Sequence, residues 1–126
     1  MEFEIQKAQA GVYTLLGLAQ KSGSLFSGTD MVTQALSKHR VRLILLAWDL
    51  SENSYTRFCQ HWQQQSDLFR QKVQVWRFGA KQQLGQAIGK PERGILALGD
   101  ENLCRGIESK LQQLQVVSSQ ELARQL

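Results

Sequence analysis

Apolar positions along the chain follow two alternating spacings, one typical of helices and one of buried strands. The helical spacing predicts helices over residues 8–20, over 29–38, after Ser51, over 81–88 and after Asp100. Short apolar stretches predict strands at residues 25–26, 41–48, 73–78 and 94–98. Since the two kinds of element alternate, the pattern predicts an α/β protein, a three-layer α/β/α sandwich with a four-stranded mixed sheet.

The 126 residues and their apolar fraction predict one domain over residues 1–126. Residues 118–121, Ser-Ser-Gln-Glu, have the spacing of a capping box and predict a short terminal helix. Its apolar stripe is thin, because Leu122 and Leu126 alone form it. Residues 116–126 are therefore interpreted as a peripheral C-terminal extension.

The stretch from Leu25 to Leu36 predicts a strand, a glycine turn and the first turns of a helix. Gly28 can adopt backbone angles that other residues avoid, and Ser27 and Thr29 can each supply an oxygen that caps the helix. A helix start at such a turn suits a negatively charged group, because its amides and its dipole point outward. A strand-to-helix turn without any ligand explains the same pattern.

Positive charge is concentrated in the body of the chain. The formal net charge is +4, and residues 5–99 hold 12 Lys and Arg against 5 Asp and Glu. This basic balance is compatible with a polyanion such as nucleic acid. Two groups of cations lie near turns, one after the second helix and one before the last strand: Lys38, Arg40 and Arg42, and Lys90 and Arg93.

The arrangement of the strands decides what these cations do. If the second and fourth strands both lie beside the first, the two basic loops flank the Gly28 turn. The loops would then hold phosphates while the helix start offers polar side chains to base edges. A scatter of solvated surface cations is the alternative, and it applies equally to His39 within the first group.

Sequence patterns of several enzyme classes are absent. The chain has no P-loop, no dinucleotide-binding glycine pattern and no nucleophile elbow, so no catalytic residue, cofactor or small-molecule substrate is predicted. Asp49 and Asp100 follow strand ends, where ligands bind in open α/β sheets. Each also precedes a helix, and a helix-capping role explains both aspartates without a ligand.

Cysteine and aromatic residues add little chemistry. The two cysteines form neither a disulfide framework nor a zinc-ligand pattern. Cys59 and His61 stand two apart on a helix, so we expect Cys59 to face the core and His61 the solvent, without a metal. The three tryptophans are expected in the core or at its edge, and base stacking requires an exposed one.

The expected cellular location rests on two sequence features that the chain lacks. It has no basic-then-apolar signal sequence at its start, and the apolar run 43–48 is too short to cross a bilayer. A cytoplasmic protein without membrane contact is expected.

Four blocks of sequence resemble one known family in order and spacing. They are residues 15–23 (LLGLAQKSG), 28–36 (GTDMVTQAL), 43–49 (LILLAWD) and 84–89 (LGQAIG). The blocks resemble the kink-turn-binding ribosomal-protein superfamily and, within it, the small bacterial YlxQ-like proteins. The resemblance covers about residues 12–107. It implies an α/β/α sandwich without enzymatic activity that binds structured RNA in the cytoplasm, often in association with ribosomes as a ribonucleoprotein.

The resemblance also implies an RNA-binding site, in which some residues of this chain differ from the family's pattern. Family members that grip kink-turns carry Gly-Thr/Ala-Asn-Glu and, three residues later, Lys; the Asn and Glu read the guanines of tandem G·A pairs. Here those three positions are Asp30, Met31 and Gln34. Asp30 can accept a hydrogen bond from a guanine, Met31 has no carboxylate, and Gln34 has no charge. These exchanges predict weakened kink-turn discrimination.

The implied RNA-binding residues fall in three short segments: Gly28, Thr29, Asp30, Met31 and Gln34, then Lys38 and Arg40, then Lys90 and Arg93. The loop 90–93 occupies the place where the family approaches the flanking RNA stem. One alternative is a protein-interaction scaffold that keeps the fold, with Met31 and Phe26 as an apolar contact patch. Another is a substrate-recognition domain that acts in trans with an RNA methyltransferase.

Overall fold

The computed structural model describes residues 2–114, which form six helices and four strands. In chain order these are α1 (Glu2–Lys21), β1 (Leu25–Ser27), α2 (Thr29–Ser37), β2 (Leu43–Leu46), α3 (Glu52–Gln63), α4 (Asp67–Arg70), β3 (Gln74–Arg77), α5 (Lys81–Ala87), β4 (Ile95–Leu98) and α6 (Glu101–Gln113). The predicted terminal helix at residues 118–121 lies outside the described residues.

The four strands form one mixed sheet in the order β1-β4-β2-β3. β4 is antiparallel to both β1 and β2, and β2 is parallel to β3. Consequently β1, β2 and β3 end at the same side of the sheet at which β4 begins. We call this side the Gly28 end; it comprises residues 27–28, 46–51, 77–81 and 92–95.

Helices cover both faces of the sheet, which confirms the predicted three-layer sandwich. Alternate residues of each strand point to opposite faces. Leu43 and Leu45 pack with α1, α5 and α6, whereas Ile44 and Leu46 pack with α2 and α3. Because both faces are covered, β2 and β4 are buried along their whole length, as their unbroken apolar sequences predicted.

Two elements differ from the sequence prediction. α1 begins at Glu2 rather than at residue 8, and its acidic first turn suits the positive end of a helix dipole. Its first six residues are exposed and carry no apolar period, so pattern analysis did not include them. The four-residue α4 was also missed, because it is too short for a period; the Ser66 hydroxyl caps it by accepting from the Phe69 amide.

For the helices after Ser51, Asp49 and Asp100, the sequence predicted side-chain caps, and those of Ser51 and Asp100 are present. Ser51 caps α3 by accepting from the Ser54 amide at 3.2 Å, and Asp100 caps α6 by accepting from the Leu103 amide at 2.9 Å. The prediction for Asp49 was wrong. Ser51 already occupies the cap of α3, and the Asp49 carboxylate instead accepts from the Lys81 amide at 2.8 Å, at the start of α5. Asp49 thereby ties the end of β2 to α5.

A close backbone contact positions the loop at residues 90–93. A Cβ atom on Gly85, within α5, would lie 2.0 Å from the Pro91 carbonyl oxygen. The backbone amide of Lys90 also donates to the Gly85 oxygen at 2.9 Å. Glycine is therefore required at position 85 for the loop to fold back onto α5.

We expect Gly85→Ala to destabilise the protein by about 1–3 kcal/mol, because the new methyl group collides with backbone that cannot rotate away. Urea unfolding measures the change. Gly11→Ala is the matched control in α1, since its Cβ meets only the flexible end of Lys110, and we expect it to be neutral or to stabilise by up to about 1 kcal/mol. Equal effects of the two substitutions would contradict this interpretation.

Candidate nucleic-acid interface

Gly28 forms the corner between β1 and α2 and is fixed on both sides. Its backbone angles are φ 89° and ψ 155°, a region that residues with a side chain avoid. Its amide donates to the Ile95 oxygen at 2.9 Å, and its own oxygen accepts from the Val32 amide at 3.0 Å. These two bonds join the turn to β4 and start α2.

The start of α2 has no side-chain cap among the described residues. Gly28 is itself the N-cap residue, so the predicted capping by Ser27 or Thr29 is wrong. The amides of Thr29, Asp30 and Met31 precede the first intrahelical bond and point out of the helix. Together with the dipole of α2, they favour an acceptor or an anion at this position.

A hollow of about 410 Å³ opens beside this helix start, between α2 and the loop 90–93. We call it the Gly28 hollow. Its walls come from four segments of the Gly28 end: Ser27, Gly28, Thr29, Asp30 and Met31; Leu50, Ser51 and Ser54; Lys81; and Glu92, Arg93, Gly94 and Ile95. The Arg93 amide donates to the Lys81 oxygen at 3.0 Å, which holds the two basic residues side by side.

The structure brings together five of the predicted site residues, because Gly28, Thr29, Asp30, Met31 and Arg93 all line the Gly28 hollow. Gln34 lies one turn further along α2 and is exposed. Lys90 is exposed in the loop beside the hollow without lining it.

The second basic loop does not flank the Gly28 turn, and the predicted juxtaposition is wrong. β4 separates β2 from β1, and the loop 38–42 lies at the opposite end of the sheet, where the Arg42 amide donates to the Leu98 oxygen at 2.8 Å. Gly28 and Lys38 flank the nine residues of α2 and are therefore about 15 Å apart along the helix axis. Arg40 and Phe26 line a different hollow there, so Phe26 and Met31 do not share a patch.

Arg57 of α3 joins the site, and sequence analysis missed it. Its guanidinium pairs with the Asp30 carboxylate at 2.5 Å, and the two side chains are 47% and 84% exposed. In the local sequence pattern, Arg57 is one polar residue on the solvated side of α3. The packing of α2 against α3 turns that solvated side toward the start of α2.

Lys81 is a further site residue without a sequence signal of its own. It begins α5, and the bond from its amide to Asp49 places it in the wall of the hollow. Two basic residues, Lys81 and Arg93, and two acidic residues, Asp30 and Glu92, line this space. The charges that line the hollow therefore balance, and Arg57 adds one positive charge at its margin.

The tryptophans divide between core and surface. Trp62 and Trp76 are buried, as expected, while Trp48 is 57% exposed at the Gly28 end. The Arg77 guanidinium carbon lies 6.0 Å from the Trp48 ring centre and 4.9 Å from that of Tyr55. Trp48 thus meets the one condition that sequence analysis set for base stacking.

The expectations for Cys59 and His61 are partly met. Cys59 packs against the core between the sheet and α3, where burial raises the pKa of its thiol. His61 is half-buried rather than turned fully to solvent. Within residues 2–114, no group of three His, Cys, Asp or Glu side chains could hold a metal ion. No described helix is both long enough and apolar enough to span a bilayer.

Comparisons with known proteins agree with one another. The family model "Ribosomal protein L7Ae/L30e/S12e/Gadd45 family" matches residues 10–107. The chain is 29% identical over 102 residues to "RNA-binding protein YlxQ" of Bacillus subtilis (strain 168), and this match covers 79% of the chain and 93% of the relative.

Two solved structures share the fold. A protein of unknown function from Bacillus halodurans has a TM-score of 0.68 and 26% identity, over 80% of this chain and 96% of the other. The Giardia lamblia 15.5kD RNA binding protein has a TM-score of 0.63 and 13% identity, over 86% and 88%. At that identity, the second likeness concerns the fold alone.

We expect Gly28→Ala to lower the free energy of unfolding by about 1–3 kcal/mol through backbone strain alone. A Cβ at this position would meet no atom of the described residues within 4 Å, so no collision contributes. Thr29→Ala, one residue later, is the control and should change stability by less than about 0.5 kcal/mol. Urea unfolding of both variants measures the two free energies of unfolding. A Gly28→Ala protein as stable as the control would contradict the strain at Gly28.

We expect the Asp30–Arg57 pair to contribute little to stability, because both side chains are well exposed. A double-mutant cycle with Asp30→Asn and Arg57→Gln should give a coupling energy below about 1 kcal/mol. Thermal unfolding of the four proteins at low salt measures it. A coupling of several kcal/mol would mean that the pair is structural and that Asp30 is not available to a ligand.

Proposed function

Because this chain belongs to the ribosomal protein L7Ae/L30e/S12e/Gadd45 family, we propose that it is a non-catalytic, cytoplasmic protein that binds structured RNA. A relative that aligns with 79% of this chain is named an RNA-binding protein, which supports the proposal. Ribosomal RNA, or RNA of a similar kink-turn-like shape, is the proposed partner.

The observation that carries this proposal is the uncapped start of α2 beside two basic residues. Amides of Thr29, Asp30 and Met31 point outward at the edge of the hollow that Lys81 and Arg93 also line. Backbone amides and cationic side chains are the groups that proteins use to hold RNA phosphates in register. The short polar side chains at the helix start are then placed at base edges.

Each predicted residue receives a role from its position. Asp30, Met31 and Gln34 face the bases, with Gly28 and Thr29 presenting backbone. The cations beside the Gly28 hollow hold phosphates: Lys81, Lys90, Arg93 and Arg57. Lys38, about 15 Å away along α2, and Arg40 in the loop after it contact only RNA that extends past the segment held in the hollow.

The exchange at Met31 explains why we propose weak kink-turn discrimination. Met31 is 52% exposed and lines the hollow, so a base edge would meet a thioether instead of an acceptor. Asp30 retains a carboxylate, but it is paired with Arg57 and must exchange that partner for a guanine. Replacing Arg57 by a guanine as the partner of Asp30 costs little free energy if the ion pair is as weak as its exposure indicates.

Met31→Glu together with Gln34→Lys should strengthen binding to a kink-turn RNA by about tenfold or more. A good bidentate base contact is worth about 1–3 kcal/mol, and both new side chains are on the exposed side of α2. Fluorescence anisotropy with a kink-turn RNA measures the gain. The same RNA with G·C pairs in place of its tandem G·A pairs should show none.

Ser109→Glu is the control protein, since it adds a carboxylate to the exposed surface of α6 away from the hollow. It should bind both RNAs as the unchanged protein does. An equal gain on both RNAs would show that the new lysine acts through charge alone, against a base-reading role for position 31.

Arg93→Gln and Lys81→Gln should each flatten the salt dependence of RNA binding. Each lost phosphate contact lowers the slope of log K against log salt by about 0.7–0.9. Arg105→Gln removes the same charge from α6, on the far side of the sheet, and should leave the slope unchanged. A slope that survives the double substitution would exclude both residues from the interface.

A further inference from the structure

We propose that Trp48 and the groove beside it bind one unpaired nucleobase of the RNA, immediately next to the segment held in the Gly28 hollow. The inference rests on the proposed function, since it assumes that RNA occupies the hollow. It adds a second contact of a different kind: stacking of a base that is not part of a duplex.

Trp48 presents a large aromatic ring to solvent at the Gly28 end of the sheet. It lies two residues beyond the end of β2, and 57% of its surface is exposed, whereas Trp76 of β3 and Trp62 of α3 are buried in the two core clusters on opposite faces of the sheet. A large aromatic surface in water costs free energy that stacking recovers. Every nucleobase has a flat face, so such a platform tolerates any sequence.

The ring is held in position before any ligand arrives. The Trp48 amide donates to the Gly79 oxygen at 2.9 Å, which fixes its backbone to the end of β3. Arg77 donates to the Ala47 oxygen at 2.6 Å, and its guanidinium lies over both the Tyr55 and Trp48 rings. A stacked base would therefore find an ordered ring and a positive charge close to its own phosphate.

The groove has polar groups suited to a base edge. It has a volume of about 390 Å³, and its walls include Trp48, Phe78, Tyr13, Gln9 and Gln83. The Gln83 carboxamide oxygen already accepts from the Tyr13 hydroxyl and from the Ala80 amide, which leaves its amino group to donate. The Tyr13 hydroxyl is held by its bond to Gln83, and burial raises the pKa of the phenol.

The groove and the Gly28 hollow are within reach of one RNA strand. Leu50 lines the hollow and Trp48 lines the groove, and two residues of chain span at most about 7 Å. Both features belong to the Gly28 end of the sheet. This continuity favours RNA over a protein as the occupant of the groove, because the same strand can enter both sites.

The experiment compares two RNAs that share one kink-turn duplex, one blunt and one with a three-uridine single-stranded extension at each end. The unchanged protein should bind the extended RNA about tenfold more tightly. Trp48→Leu should abolish that preference and leave affinity for the blunt RNA unchanged. Trp48→Phe should retain much of the preference. Leu68→Ser, which alters a still more exposed apolar residue of α4, should retain all of it.

Tryptophan fluorescence supplies a second readout. Trp62 and Trp76 are buried, so a stacked base should quench mainly Trp48, with the extended RNA only, and the quenching should disappear in Trp48→Phe. Circular dichroism checks that each variant is folded.

The outcomes separate the two proposals. Binding of the blunt RNA with no preference for the extension, or an equal loss on both RNAs in Trp48→Leu, overturns the platform and leaves the Gly28 hollow in place. Failure of the unchanged protein to bind either RNA overturns both. A dimer of the free protein that Trp48→Leu dissociates in sedimentation would show instead that this face joins two copies of the chain, against the proposal.

Discussion

β4 pairs antiparallel with β1 on one side and with β2 on the other, and this insertion organises the whole Gly28 end of the sheet. It directs the loop 90–93 to the turn at Gly28, and the bond from the Gly28 amide to Ile95 locks the two together. Because β4 is antiparallel to both neighbours, β1 and β2 run in the same direction. The loop 38–42, which precedes β2, therefore lies at the end of the sheet opposite Gly28. The composition of the Gly28 hollow is thus a consequence of strand order, not of where basic residues occur along the chain.

Around this frame, the candidate site combines a strained backbone corner with exposed side chains. The corner consists of the positive-φ Gly28 and the uncapped start of α2. Met31 offers no carboxylate, and the carboxylate of Asp30 is paired with Arg57. Since the charges lining the hollow balance, the RNA binding that we propose would depend on placed contacts more than on a general attraction for polyanions.

Prediction from the sequence succeeded where the interaction is local. Ser51 and Asp100 cap helices through bonds to amides three residues ahead, and periodicity identifies every described helix longer than four residues. It failed at Asp49 and Arg57, whose partners are 32 and 27 residues away. Neither partner is visible in a local pattern, because only the packing of α5 and α2 brings it into reach.

The sequence by itself determined the alternation of helices and strands, the burial of β2 and β4 and the glycine corner at residue 28, since each depends on side-chain type and spacing over a few residues. The tertiary structure alone decided that Lys81, Arg93 and Arg57 share one site and that Lys38 and Arg40 do not. It also decided that Trp48 faces outward. These outcomes depend on which strands pair. Backbone hydrogen bonds between strands are the same for every sequence that forms them, so a local sequence pattern does not identify a strand's partner.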